Sequence, residues 1–266
     1  MQDRMTLPVP SLPDLLPTGP ARFLGWSMIA DPLVAGALAR AGFDAVLLDQ
    51  QHGTYDYRSC CAAITEVALA GKSTLVRVPV GDFAMVSRML DAGAAGVVAP
   101  MINTVADAEA LAAAAKFPPV GQRSWGPDRA MWLSGLRDSS EYLTEANGRA
   151  LTIAMCETEG AIAELEAILA VPGIDGVLVG PADLSIALSK GTAFDPLGGA
   201  VSAALAEIAR RTRAAGKIPC AFAPSPARAR EMVGMGYQLV SVEYDAMTIV
   251  NAFARVLREA DPSRAG

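Results

Sequence analysis

Five polar side chains in this 266-residue chain each follow a short apolar run, the place where a buried strand hands its last side chains to solvent. Asp49 and His52 lie in Leu47-Leu48-Asp49-Gln50-Gln51-His52-Gly53, and Arg77 in Val76-Arg77-Val78-Pro79. Glu157 lies in Met155-Cys156-Glu157-Thr158, and Asp183 in Val179-Gly180-Pro181-Ala182-Asp183-Leu184-Ser185. Two carboxylates at neighbouring strand ends can hold a divalent cation while water and substrate oxygens complete its shell. Hard oxygen ligands suit Mg²⁺ or Mn²⁺, with Co²⁺ or Zn²⁺ as alternatives, and open positions make the ion a Lewis acid. The plainer alternative makes Glu157 and Asp183 helix caps. An arginine inside an apolar run must face an anion, either a substrate oxygen gaining charge or a structural partner such as Glu157. His52 is the one histidine of the chain. It follows Asp49, which is placed to orient the ring and raise its basicity for proton transfer; a packing role is the alternative.

Gly180, Pro181, Ala182 and Asp183 open a turn into a helix, so their backbone N–H groups form an anion site sized for a small carboxylate. The four lysines, Lys72, Lys116, Lys190 and Lys217, all miss the C-terminal ends of the expected strands. A Schiff base needs a desolvated lysine at the site, so the electron sink is expected to be a metal and not an imine. The stretches 223–226 and 243–245 lack a glycine-rich phosphate cradle, which argues against a phosphorylated substrate. Methionines and most aromatic residues read as core and interface packing.

These side chains need a scaffold. Apolar runs at 23–29, 45–48, 75–78, 97–101, 151–155, 177–179, 218–222 and 239–242 alternate with Ala- and Leu-rich helical stretches such as 33–41 and 106–116. Eight such repeats predict an α/β fold, a single-domain (β/α)8 TIM barrel, with its active site at the C-terminal strand ends. The barrel is expected over 21–260, after an N-terminal extension, 1–20, and before a frayed tail, 261–266. A composition 52% hydrophobic and 19% charged supplies the excess that a sheet covered on both faces requires. The stretch 117–147, with Trp125, Trp132 and several arginines, is long enough that it should cover a site or an interface.

A net charge of −6 disfavours nucleic acid as partner. No apolar run approaches the ~20 residues that span a bilayer, and the N-terminus lacks a charged-then-apolar signal region. Cys60, Cys61, Cys156 and Cys220 form neither a C-x-x-C pair nor a disulfide framework. The expected compartment is the cytoplasm.

At these motifs the sequence resembles the HpcH/HpaI aldolase family, the class II 2-oxo acid aldolases of the 4-hydroxy-2-oxoheptanedioate aldolase type. Leu90-Asp91-Ala92-Gly93, Ala99-Pro100-Met101 and Gly121-Gln122-Arg123-Ser124 also match, and the resemblance runs from about Phe23 to Leu257. Its most specific part runs from Val171-Pro172-Gly173-Ile174-Asp175-Gly176 through Ser185. The resemblance implies a barrel assembling as a homohexamer, a trimer of dimers that swap C-terminal helices. It implies a divalent metal on Glu157 and Asp183, Arg77 at the enolate oxygen, and His52, oriented by Asp49, as acid/base through a metal-bound water. It also implies a pyruvate carboxylate on the backbone of 180–183, and an Asp91 that serves the site of a neighbouring subunit. The chain differs from many members at Gln51, where glutamate is usual, and at Met155, where glutamine is usual.

The expected reaction is reversible cleavage of a 4-hydroxy-2-oxo acid to pyruvate, or a substituted pyruvate such as hydroxypyruvate, and an aldehyde. Residues 121–132 and a second subunit are expected to line the aldehyde's place. One alternative is an acyl-CoA lyase of the citramalyl- or malyl-CoA type, which requires a basic surface that only Arg123, Arg129 and Arg137 approach. The other is a non-catalytic oligomer that binds 2-oxo acids.

Overall fold

The computed structural model describes residues 9, 11–16, 19–136, 138–261 and 263. Each expected apolar run forms a strand: β1 Arg22–Ser27, β2 Ala45–Asp49, β3 Ser73–Arg77, β4 Gly96–Ala99, β5 Leu151–Met155, β6 Gly176–Val179, β7 Ile218–Ala223 and β8 Leu239–Val242. They pair in parallel in chain order, and β8 returns to β1, so the sheet closes into a barrel without edges. β1 stops two residues short of the expected end. The N–H groups of Met28 and Ile29 go to the Asp245 carboxylate instead of a neighbouring strand.

Strand parity sorts the side chains. Trp26, Leu47, Leu75, Ile153, Met155 and Leu178 pack inside the barrel, whereas Val46, Leu48, Val76, Ala154 and Val177 pack beneath the helices. Both faces are apolar, which is why each strand reads as an unbroken run. The inward set continues to the strand ends, where Asp49 and Arg77 lie opposite each other in the β2–β3 register. The helices Pro32–Arg40, Tyr57–Leu69, Phe83–Asp91, Val105–Ala115 and Pro226–Met235 start where Asp31, Asp56, Asp82, Thr104 and Ser225 accept first-turn N–H groups.

Two peripheral segments carry structure of their own. Within the expected extension, residues 1–8, 10, 17 and 18 lie outside the described residues. The short helix Leu12–Leu15 is described, and Leu12 and Leu16 are buried in the barrel-interior cluster at its N-terminal end. Of the tail expected to fray, 262 and 264–266 lie outside the described residues. The stretch after 117 holds two helices, Asp128–Ser134 and Ser139–Arg149, around Phe117, Ala130, Met131, Tyr142 and Ala146. It leads from the end of helix Val105–Ala115 to the start of β5, at the end of the barrel opposite the mouth. It is therefore no lid over its own site. Among the described residues no helix is long and apolar enough to cross a membrane.

Candidate active site

A cavity of about 230 Å³ opens at the C-terminal ends of the strands, where active sites of such barrels form. Asp49, His52, Arg77 and the stretch 180–183 supply its polar lining; Trp26, Met28, Met155, Phe222 and Tyr244 supply the rest.

Asp49 organises the polar half. It is fully buried at the end of β2, and its carboxylate accepts a fork from Arg77, Nε at 2.9 Å and Nη2 at 2.5 Å. Trp26 Nε1 donates to it at 3.2 Å, and the backbone N–H groups of Gln51 and His52 donate at 3.0 and 3.3 Å. The fork lets two buried charges neutralise each other with almost every lone pair occupied. The guanidinium also lies over the Trp26 ring, 4.7 Å from its centroid. Nη1 is left, touching only the Met155 sulfur at 4.0 Å.

Two expectations are corrected here. The partner of Arg77 is Asp49, not Glu157. Nor does Asp49 hold the His52 ring, because its oxygens are already occupied; it fixes the turn that carries His52 through that residue's backbone. Gly53 closes this turn, and a Cβ there would lie 2.3 Å from the Asp49 carbonyl oxygen. His52 is exposed, and its ring has no hydrogen bond among the described residues.

Glu157 lies two residues past β5 on the inward parity and is buried. The cap of the next helix is Thr158, and the cap position before helix Pro181–Leu188 is Gly180, so neither Glu157 nor Asp183 is a helix cap. The two carboxylates meet across Gly180: a Cβ there would lie 2.7 Å from Glu157 Oε2 and 3.8 Å from Asp183 Oδ2. Only glycine leaves the Glu157 oxygen its space. Glu157 Oε2 is buried without a hydrogen-bond partner. Burial first, then the negative Asp183, push the Glu157 carboxyl up to about 7, against the opposing pull of Arg77 and the Gly180 N–H. A buried carboxylate lacking a partner, beside a second carboxylate, fits a hard divalent cation. Among the described residues no group of three or more His, Cys, Asp or Glu surrounds such an ion. Water and substrate oxygens would have to complete its shell.

Asp91 is not brought to this cavity. It ends helix Phe83–Asp91 and pairs with Arg123 at 2.6 Å, whose guanidinium lies 4.6 Å from the Phe117 ring centroid. Arg129 donates to the Cys61 carbonyl and the Thr65 hydroxyl, and Arg137 lies outside the described residues. Among the described residues no lysine lines the cavity, and neither does any residue of 121–132.

Sequence reasoning placed the aromatic and methionine side chains in the core, yet five of them line the cavity. Trp26, Met28, Met155 and Phe222 share the inward parity of their strands, which a sheet apolar on both faces does not reveal in its composition, and Tyr244 arrives from the turn after β8. Asp245 was also missed. Buried at the start of helix Asp245–Ala260, it accepts from Ser27 Oγ at 2.8 Å, Met28 N at 2.9 Å and Ile29 N at 3.1 Å, and the Tyr55 hydroxyl sits 2.8 Å from Ser27 Oγ. The ends of β1 and β8 are thereby tied beside the turn that carries His52.

Charge held at the C-terminal mouth of a closed barrel is the hallmark of (β/α)8 enzymes, and this protein is one of them. A family model matches residues 22–252, and the chain belongs to that family, the HpcH/HpaI aldolase/citrate lyase family. It is thus a carbon–carbon lyase of the aldolase kind. It is 37% identical over 236 residues to a hydroxypyruvate/pyruvate aldolase of Rhizorhabdus wittichii, covering 89% of this chain and 92% of the relative. It is 35% identical over 242 residues to a 4-hydroxy-2-oxovalerate aldolase of Rhodococcus jostii, covering 91% and 92%. Among solved structures, an HpcH/HpaI aldolase/citrate lyase family protein of Burkholderia cenocepacia matches with TM-score 0.85 and 31% identity, covering 94% of this chain and 98% of that one.

Proposed function

We propose that the enzyme reversibly cleaves a 4-hydroxy-2-oxo acid into pyruvate, or a substituted pyruvate such as hydroxypyruvate, and an aldehyde. The carrying observation is the Glu157–Asp183 pair across Gly180, with its buried, unpartnered oxygen. Glu157 and Asp183 would hold a divalent cation, Mg²⁺ or Mn²⁺, which when bound supplies Lewis-acid polarisation of 2-oxo acid oxygens.

The chain's own side chains do the rest. Helix Pro181–Leu188 has no side-chain cap, so the N–H groups of Ala182 and Asp183 are available for the substrate carboxylate. Arg77 Nη1 donates to the keto oxygen, and this bond strengthens as that oxygen gains charge. The Asp49 fork keeps the guanidinium in place. His52, through a water, takes the 4-hydroxyl proton as the C3–C4 bond breaks. The bond's electron pair moves into a C2–C3 double bond and onto the C2 oxygen, C4 leaves as the aldehyde carbonyl, and the enolate is then protonated at C3.

Assembly as a homohexamer with swapped C-terminal helices is supported by helix Asp245–Ala260, where Val250, Phe253 and Val256 are 60%, 70% and 54% exposed. Asp91, remote from its own cavity, would serve a neighbouring subunit there. Four free thiols suit a reducing compartment such as the cytoplasm. An acyl-CoA substrate is disfavoured because, among the described residues, the one arginine lining the cavity is held by Asp49.

The test is deuterium exchange into the pyruvate methyl group, followed by NMR with Mn²⁺ or Mg²⁺ and again with a chelator. Exchange should require the metal and vanish in Arg77→Ala. A passive 2-oxo acid binder would show none, and exchange surviving in Arg77→Ala or under chelation would overturn the assigned roles.

A further inference from the structure

We infer that the cavity selects an uncharged aldehyde with an apolar substituent and turns away aldehydes that carry a second carboxylate; this rests on the aldolase reading above. In the aldol direction C3 of the pyruvate enolate bonds to the aldehyde carbon. The carbonyl π pair moves to the aldehyde oxygen, which takes a proton from the His52 relay. What decides the aldehyde is the surface left once the 2-oxo acid has its partners.

That surface is largely an aromatic wall. Trp26 meets Phe222 edge to face, centroids 5.3 Å apart at 81°, and Phe222 meets Tyr244 at 6.4 Å and 34°. Trp26 has given its Nε1 hydrogen to Asp49, so it can offer only its hydrocarbon faces and edges. Met28 and Met155 extend the apolar lining. Among the described residues Arg77 is the only arginine or lysine that lines the cavity; Nε and Nη2 are bound to Asp49, and Nη1 serves the keto oxygen. A carboxylate on the aldehyde would therefore lose its hydration and meet no further cation among the described residues of its own protomer, while the Asp91 that a neighbouring subunit would bring is itself an anion already paired with Arg123. An alkyl or aryl group is instead transferred from water onto apolar surface. The cavity's 230 Å³ lies below the ~300–1,000 Å³ common for small-molecule sites, so a short chain or one ring covers the apolar wall.

The experiment condenses pyruvate with pentanal and with succinic semialdehyde, a pair matched in length, using acetaldehyde as reference and following methyl exchange in parallel. kcat/KM for pentanal should exceed that for succinic semialdehyde about 10-fold or more, a ratio within reach of one apolar contact surface. Phe222→Ala should lower the pentanal-to-acetaldehyde ratio about 10-fold, and Met28→Arg should narrow the preference over succinic semialdehyde by supplying a cation. Methyl exchange accompanied by equal or better use of succinic semialdehyde would overturn the selection and leave the aldolase reading standing. So would an unchanged pentanal-to-acetaldehyde ratio in Phe222→Ala. Absence of exchange in the wild type would bring down the aldolase reading and this inference with it.

Discussion

At the N-terminal end of the barrel, buried Lys116 donates to Asp175 at 2.7 Å and to the carbonyls of Asn147 and Ala150 at 2.9 and 2.6 Å. All three ammonium protons are taken, and Asp175 also accepts the Thr152 N–H at 2.8 Å. At the C-terminal end, equally buried Glu157 keeps Oε2 without a partner and faces another carboxylate. Desolvation is similar at both ends; satisfaction is not. A charge surrounded by its own chain's partners holds the fold together. A charge left short of partners is maintained at a cost in stability, and that cost is what a bound ligand can relieve.

The contrast can be tested from its largest expected effect downwards. Lys116→Met should destabilise by about 3–5 kcal/mol, because it strands Asp175 without its cation. A thermal scan should read this as a loss of about 6–20 °C, with methyl exchange per folded molecule unchanged. Adding Asp175→Asn should recover part of the loss, since removing both partners costs less than removing one. At the mouth, Arg77→Lys should slow pyruvate exchange about 10²–10³-fold, because an ammonium cannot reproduce the fork to Asp49 together with a donor toward the cavity. A smaller decrease would mean that the guanidinium geometry matters little.

Glu157→Gln should act in the opposite direction to Lys116→Met. The Glu157 carboxyl is raised from 4.5 to about 7 by burial and by Asp183. Below pH 4.5 folded and unfolded chains both hold the proton, and no difference arises. Between pH 4.5 and 7 the unfolded chain loses its proton first, so metal-free stability falls as pH rises, by about 3 kcal/mol in full above pH 7. The variant should remove this slope and melt higher than the metal-free wild type at pH 8. Equal melting at pH 8 would show that the carboxylate is not strained. Last, Mn²⁺ at about 100 times its Kd should stabilise the wild type by about 2.7 kcal/mol. Glu157→Gln and Asp183→Asn should each abolish that gain in calorimetry, and a gain retained in either variant would place the metal elsewhere.

Legibility from sequence followed what each pattern depends on. Strand and helix alternation showed because burying both faces of a parallel sheet forces apolar composition on every strand, and all eight strands fall within two residues of their expected bounds at each end. Glu157, Asp183, Arg77, Asp49 and His52 were found as polar residues ending those runs, and Glu157 and Asp183 do meet across Gly180. Pairings were less readable. Arg77 could have faced either acid, and the β2–β3 register chose Asp49.

What the sequence alone determined was the barrel and the set of polar groups at its mouth, because burial and strand endings are written in local composition. The tertiary structure decided which side chains look inward. Both faces of a parallel strand are apolar, so parity leaves no trace in composition, and Trp26, Met155 and Phe222 became cavity wall only once the sheet closed. It decided also that Asp49 clasps Arg77 and not the His52 ring, for a carboxylate's partners are fixed by distance across strands and not by neighbourhood along the chain.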